Sequence, residues 1–122
     1  MEEVKRWIEI ANRDLDTASY LYKGKKYEEC AFFCQQAVEK FLKAVMIKTK
    51  RDIIKTHDLL VLAEILDLPI DLRENCKELT LIYVFARYPD TAEVSEIKTK
   101  AKKYISFAKK IKKWTNNQLS QN

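Results

Sequence analysis

The chain carries a single histidine, His57. An imidazole is the side chain whose charge changes near neutral pH, so general acid or base chemistry would fall to this residue. It lies in the stretch KTHDL at 55–59. A second stretch, ARYPD at 86–90, offers the Arg87 guanidinium and beside it Tyr88. A guanidinium is permanently charged and meets two phosphate oxygens with parallel hydrogen bonds, while a tyrosine ring can stack on a base. A third stretch, QQAVEKFLKA at 35–44, sets Gln36, Lys40 and Lys43 at helical spacing. His57, Arg87, Tyr88, Gln36, Lys40 and Lys43 are the types of group that hold a nucleotide or a nucleic-acid phosphate.

Each has a plainer role open to it. Arg87 in the last turn of a helix complements the helix dipole. His57 in the first turn of a short helix can hydrogen-bond a neighbour and hold the preceding loop. Asp58 next to it favours the helix N-terminus, since adjacent helical residues do not face each other. Glu39 and Lys43 are spaced for an i to i+4 pair worth a few tenths of a kcal/mol on a surface helix. Asp90 is placed to cap the next helix. Eight lysines crowd 98–113. They make either a polyanion footprint or a solvated face that keeps the protein in solution, and the solvated face is the expectation.

Composition narrows the classes further. A chain of 122 residues with 47% hydrophobic content suits one domain with one core. One Gly and two Pro leave too few turn signals for a sandwich or barrel. Cys30, Cys34 and Cys76 are odd in number and read as small apolar residues in a reducing compartment. No metal site and no cofactor are expected, because zinc would need four ligands. The start MEEVKRWIEIAN has two early acids and no unbroken apolar run, so neither a leader nor a membrane span is read in it and a cytoplasmic location is expected.

These groups must be positioned by helices. Trp7, Ile8, Ala11, Leu15, Ala18, Leu21 and Tyr22 recur at three- and four-residue steps, predicting a first helix over 2–23. Gly24 is expected to end it in the left-handed conformation, and the short loop folds the next helix back antiparallel. That helix, 27–49, buries Tyr27, Cys30, Ala31, Cys34, Ala37, Val38, Phe41 and Val45. It turns Phe32, Gln36, Glu39 and Lys43 outward, with Met46 beside them. Aromatic and apolar groups on an outward face predict an interface at Phe32 and Met46. Thr56 is expected to cap a short third helix reaching Asp67, which Pro69 stops. Asp71 with Glu74 resembles a capping box opening a fourth helix that ends near Arg87. The last helix begins between Asp90 and Ser95 and runs to Trp114, and 115–122 is expected to fray. The fold class is all-α: an up-and-down antiparallel bundle of four long helices and one short one, a single domain over 1–122.

The order of motifs resembles the HEPN domain family: Trp7 with Asp14, Leu15 and Ala18 in the opening helix, then QQA-x-EK-x-LKA, THDL, and RYPD before the last helix. The resemblance runs from Trp7 to Ala108. It implies a dimerising helical bundle that handles nucleotides or RNA and works with a nucleotidyltransferase partner, as in a toxin–antitoxin-like pair. Many family members cleave RNA with an Arg and a His a few residues apart near the start of the last helix. This chain departs from that pattern, since no histidine follows Arg87. Arg51 and His57 have a suitable spacing, but in the loop before the third helix. The expectation is therefore a phosphate-binding HEPN module, a homodimer, with binding ahead of catalysis. The rivals are a metal-independent ribonuclease using His57 with Arg51 or Arg87, and a structural adaptor that meets a partner chain through Phe32 and Met46.

Overall fold

Apolar residues at helical spacing have to be buried against one another, and here they fold into five helices. They are α1 (Glu2–Lys23), α2 (Tyr27–Lys48), α3 (Leu59–Ile65), α4 (Ile70–Phe85) and α5 (Val94–Leu119). The structure is a computed structural model and describes residues 2–49, 52, 55–85 and 94–121. Among the described residues there is no strand, so the chain is an all-α helical bundle.

α2 is the axis of the bundle and packs against each of the other four helices. Its buried residues accordingly run round most of its circumference: small Cys30, Ala31, Cys34 and Ala37, then Phe41, Leu42, Val45 and Met46. This corrects the expectation that Met46 lies outward to meet a partner, because Met46 is fully buried in the core. An amphipathic reading assigns a helix one wet face, and a helix with neighbours on all sides has no such face.

The helix ends show which residues stop them. α1 does not stop in a left-handed glycine: no glycine has positive φ, and Lys25 takes φ 62° instead. Lys26 N donates to Leu21 O at 2.8 Å and Lys25 N to Tyr22 O at 3.0 Å. That is a Schellman motif with Lys25 at its left-handed position and Gly24 one residue earlier. Asp67, φ 57°, ends α3 in the same way, with Leu68 N on Ala63 O at 3.0 Å and Asp67 N on Glu64 O at 3.2 Å.

α3 is shorter than expected and is capped by Asp58 rather than Thr56. The Asp58 carboxylate accepts from Leu60 N at 3.0 Å and Val61 N at 3.4 Å, while Thr56 Oγ1 accepts from Asp58 N one step earlier. α4 starts at Ile70, which places Asp71 inside its first turn rather than at a cap. Arg73 secures this corner by donating to Leu68 O and to Asp67 Oδ1, each at 2.6 Å.

α5 runs five residues past Trp114 to Leu119, where fraying was expected. Thr115 is fully buried. Beyond it Lys48, in the last turn of α2, donates from Nζ to Gln118 O at 3.2 Å, to Leu119 O at 2.7 Å and to Gln121 O. A cation there satisfies carbonyls that a helix end otherwise leaves without partners and meets the negative end of its dipole. Among the described residues no helix is long and apolar enough to cross a membrane.

Candidate functional site

Spacing of four residues puts Gln35, Glu39 and Lys43 one above another on a single face of α2. All three are buried, with Glu39 4% and Lys43 9% exposed. A buried carboxylate needs partners, and Glu39 has two. Its Oε2 takes a hydrogen bond from Lys43 Nζ at 3.1 Å, and its Oε1 lies 2.8 Å from His57 Nδ1. Gln35 Nε2 donates to the His57 carbonyl oxygen at 3.1 Å. The loop before α3 is therefore tied to α2 twice, once by main chain and once by imidazole.

The imidazole is the outward member of this group, its side chain 60% exposed where that of Glu39 is 6% exposed. A carboxylate on Nδ1 makes that nitrogen the protonated one in the neutral ring and leaves basicity at Nε2. Asp58 takes no part, being occupied as the cap of α3. The start of α3 is also fixed to α4, since Leu59 N donates to Thr80 Oγ1 at 2.9 Å.

Further contacts extend the cluster to α1. Lys43 Nζ sits 5.8 Å from the centre of the Trp7 ring, a cation over an aromatic face. Lys40 Nζ is paired with Asp14 Oδ2, and Asp14 is buried on α1. Gln36 Nε2 donates to Gln35 Oε1 at 2.7 Å. Glu39 and Lys43 thus form the i to i+4 pair that their spacing predicts, but buried and holding a histidine rather than on a solvated surface. Lys40 and Lys43 each already meet a carboxylate, so the cluster's positive charges are balanced within it.

Of the residues singled out in the sequence, the structure gathers His57, Gln36 and Lys43 around Gln35 and Glu39, and it pairs Lys40 separately with Asp14. Arg87, Tyr88, Asp90 and Arg51 lie outside the described residues. Phe32 is half-buried, its ring edge-on to Phe33 with centroids 5.5 Å apart. The spacing gave no sign of Gln35 and Glu39 as the partners of His57, nor of Trp7 and Asp14 as the partners of the lysines. The one available signal was that QQAVEKFLKA and KTHDL both carry polar groups a bundle does not need.

The cysteines stand apart from this chemistry. Cys30, Cys34 and Cys76 are free and buried. The hydrogen bond with Cys30, followed by burial, pushes the Cys34 thiol up, and burial pushes Cys76 up to about 12. Thiols so held are poor nucleophiles. Among the described residues no group of three or more His, Cys, Asp or Glu is placed to hold a metal ion.

The sequence pattern of the HEPN domain matches residues 4–118. No curated protein sequence matches the chain. Among solved structures, TT1696 from Thermus thermophilus superposes with a TM-score of 0.86 at 27% identity, over 97% of this chain and 99% of that one. ST0689, described as an archaeal HEPN homologue, superposes with a TM-score of 0.83 at 29% identity, over 96% of this chain and 98% of that one.

Proposed function

The chain belongs to the HEPN domain family, and from that premise we propose that it is a binding module for nucleotide or nucleic-acid phosphates centred on His57. One observation carries this: an imidazole 60% exposed, oriented at Nδ1 by a buried carboxylate 2.8 Å away. When protonated, such a ring presents N–H donors and positive charge to a phosphate oxygen from a fixed position. Arg87 and Tyr88 are proposed as the further phosphate and base contacts, with Gln36 and Lys40 at the edge of the cluster. Lys43 acts through Glu39. We propose further that the module works as a homodimer with a nucleotidyltransferase protein, in a toxin–antitoxin-like pair, a reading that the resemblance in motif order suggests.

The same observation favours a second reading, a metal-independent ribonuclease. A histidine held by a carboxylate is how a general base is kept in the right tautomer, and RNA cleavage needs a group to take the 2′-hydroxyl proton and another to stabilise charge on phosphorus. His57 would serve the first task and Arg87 or Arg51 the second.

One set of proteins tests both. Calorimetric titration with ATP and with a short RNA should give affinities about tenfold or more weaker for Arg87→Ala, at unchanged melting temperature, and for His57→Gln, with the helical circular dichroism retained, which is the loss of roughly one charge-assisted hydrogen bond. Unchanged affinity in both variants sinks the site. Labelled transfer RNA incubated with the wild type and with His57→Gln should stay intact; cleavage that His57→Gln abolishes would establish the enzyme instead.

A further inference from the structure

α5 separates charge within the molecule. From Ile97 to Leu119 it carries eight lysines and no Asp or Glu, while the rest of the chain carries 15 Lys and Arg against 18 Asp and Glu. The net charge of +5 is therefore that of one helix set against a mildly acidic remainder. Packing fixes where the lysines point. Ile97, Ala101, Tyr104, Ala108, Ile111 and Thr115 are buried, which turns Lys102, Lys109, Lys110 and Lys113 outward, and all four are exposed. They border an open groove of about 510 Å³ with Ile105 and Ser106 between them. Among the described residues none of the four meets a carboxylate. Lys103, two turns before Lys110 on the same side of the helix, differs from them in lying 3.4 Å from Glu78.

We propose that this groove face of α5 binds the phosphate backbone of double-stranded nucleic acid without reading its sequence. Amines that no carboxylate neutralises gain by displacing the counterions condensed on a polyphosphate. Lys109 and Lys113 stand one turn apart, roughly 6 Å along the axis, a step that suits neighbouring phosphates of one strand.

Other partners fit the face less well. Protein interfaces are depleted of lysine and anchored by aromatic residues and arginine, and this helix has no arginine. Its Tyr104 and Phe107 are buried and its Trp114 is partly buried against the core, so the face lacks the row of open rings on which successive bases of a single strand stack. The exposed large hydrophobic residues, Tyr20, Val61, Ile70 and Leu81, all lie on other helices, so the face has nothing to insert into a bilayer. The proposal uses no residue of the His57 cluster and does not depend on it.

Fluorescence anisotropy with the full chain tests it, using a labelled RNA duplex and a labelled DNA duplex across a salt series. The affinity of the wild type should fall linearly with salt on logarithmic axes, for both duplexes and regardless of sequence. Replacing Lys102, Lys109 and Lys113 together by Gln should weaken binding about tenfold or more and flatten the salt slope by about 2 to 3, close to one for each phosphate that a lysine no longer neutralises. The circular dichroism and melting temperature should hold, since exposed helix positions accept Gln. Replacing the exposed Lys5, Lys23 and Lys77 by Gln should leave the slope as it was. Three results overturn the proposal: no duplex binding by the wild type at low salt, an unchanged slope in the Lys102, Lys109 and Lys113 variant, or loss in that variant of binding to phosphatidylserine vesicles alone.

Discussion

Glu39 is the residue on which the candidate site turns. It is buried with one oxygen on Lys43 and the other on His57, and it joins a histidine from a loop to a helix in the centre of the bundle. Removing one member of a buried pair leaves the other charge uncompensated, whereas removing both costs much less. Glu39→Gln is therefore expected to destabilise the fold by roughly 3 kcal/mol, and adding Lys43→Met should restore most of that loss. Denaturant titration reads both, and a double variant no more stable than the single would refute the pairing. Nitrogen NMR of His57 should show the Nδ1–H tautomer depleted in both variants, separating orientation of the ring from stability of the fold. None of this was legible in the spacing of Glu39 and Lys43, which looks the same for a surface pair. What the residue types do not carry is that α3 and α4 cover that side of α2 and bring His57 onto it.

At the scale of the helix, the apolar stripe of α1 was readable because that helix has a covered side and a wet side. Ala11, Leu15 and Ala18 are buried as their period predicts. α2 misled because it has neighbours all round, and Met46 went into the core. The turn after α1 misled for another reason: Gly24 marks the right place, but the left-handed position falls on the next residue, Lys25. An L-residue there carries a strain of about 1 kcal/mol that glycine relieves. Lys25→Gly should raise the melting temperature by a few degrees. Gly24→Ala should be tolerated, because an added Cβ would meet only Leu21 O and Tyr20 O, both at 3.7 Å. Calorimetry on the two variants decides the register of the turn, and the opposite order of stabilities would return the left-handed position to Gly24.

For the whole molecule, the buried thiols make stability depend on alkaline pH. Burial raises Cys76 from 9.0 to about 12, so between those values the unfolded chain has lost a proton that the folded chain keeps. The contribution of Cys76 is then fully present below about pH 9 and is lost as pH rises towards 12; Cys34, raised as well, acts in the same direction, and Cys30, lowered by its hydrogen bond with Cys34, acts against it. Cys76→Ala should be less stable at pH 8 because of the space it leaves, yet lose less on going from pH 8 to 10.5. Parallel curves for the two proteins would remove Cys76 as a cause. The bundle class and the order of helices were legible because few breakers interrupt the chain and each apolar stripe is long. The far end of α5 was not legible, because what holds it is Lys48 against the oxygens of Gln118, Leu119 and Gln121. Every residue type supplies a carbonyl, so this joint leaves the three acceptor positions free to drift in evolution while the lysine alone is constrained. Relatives can share the clamp with no recognisable motif at their C-terminal ends, and only the donor in α2 would betray it.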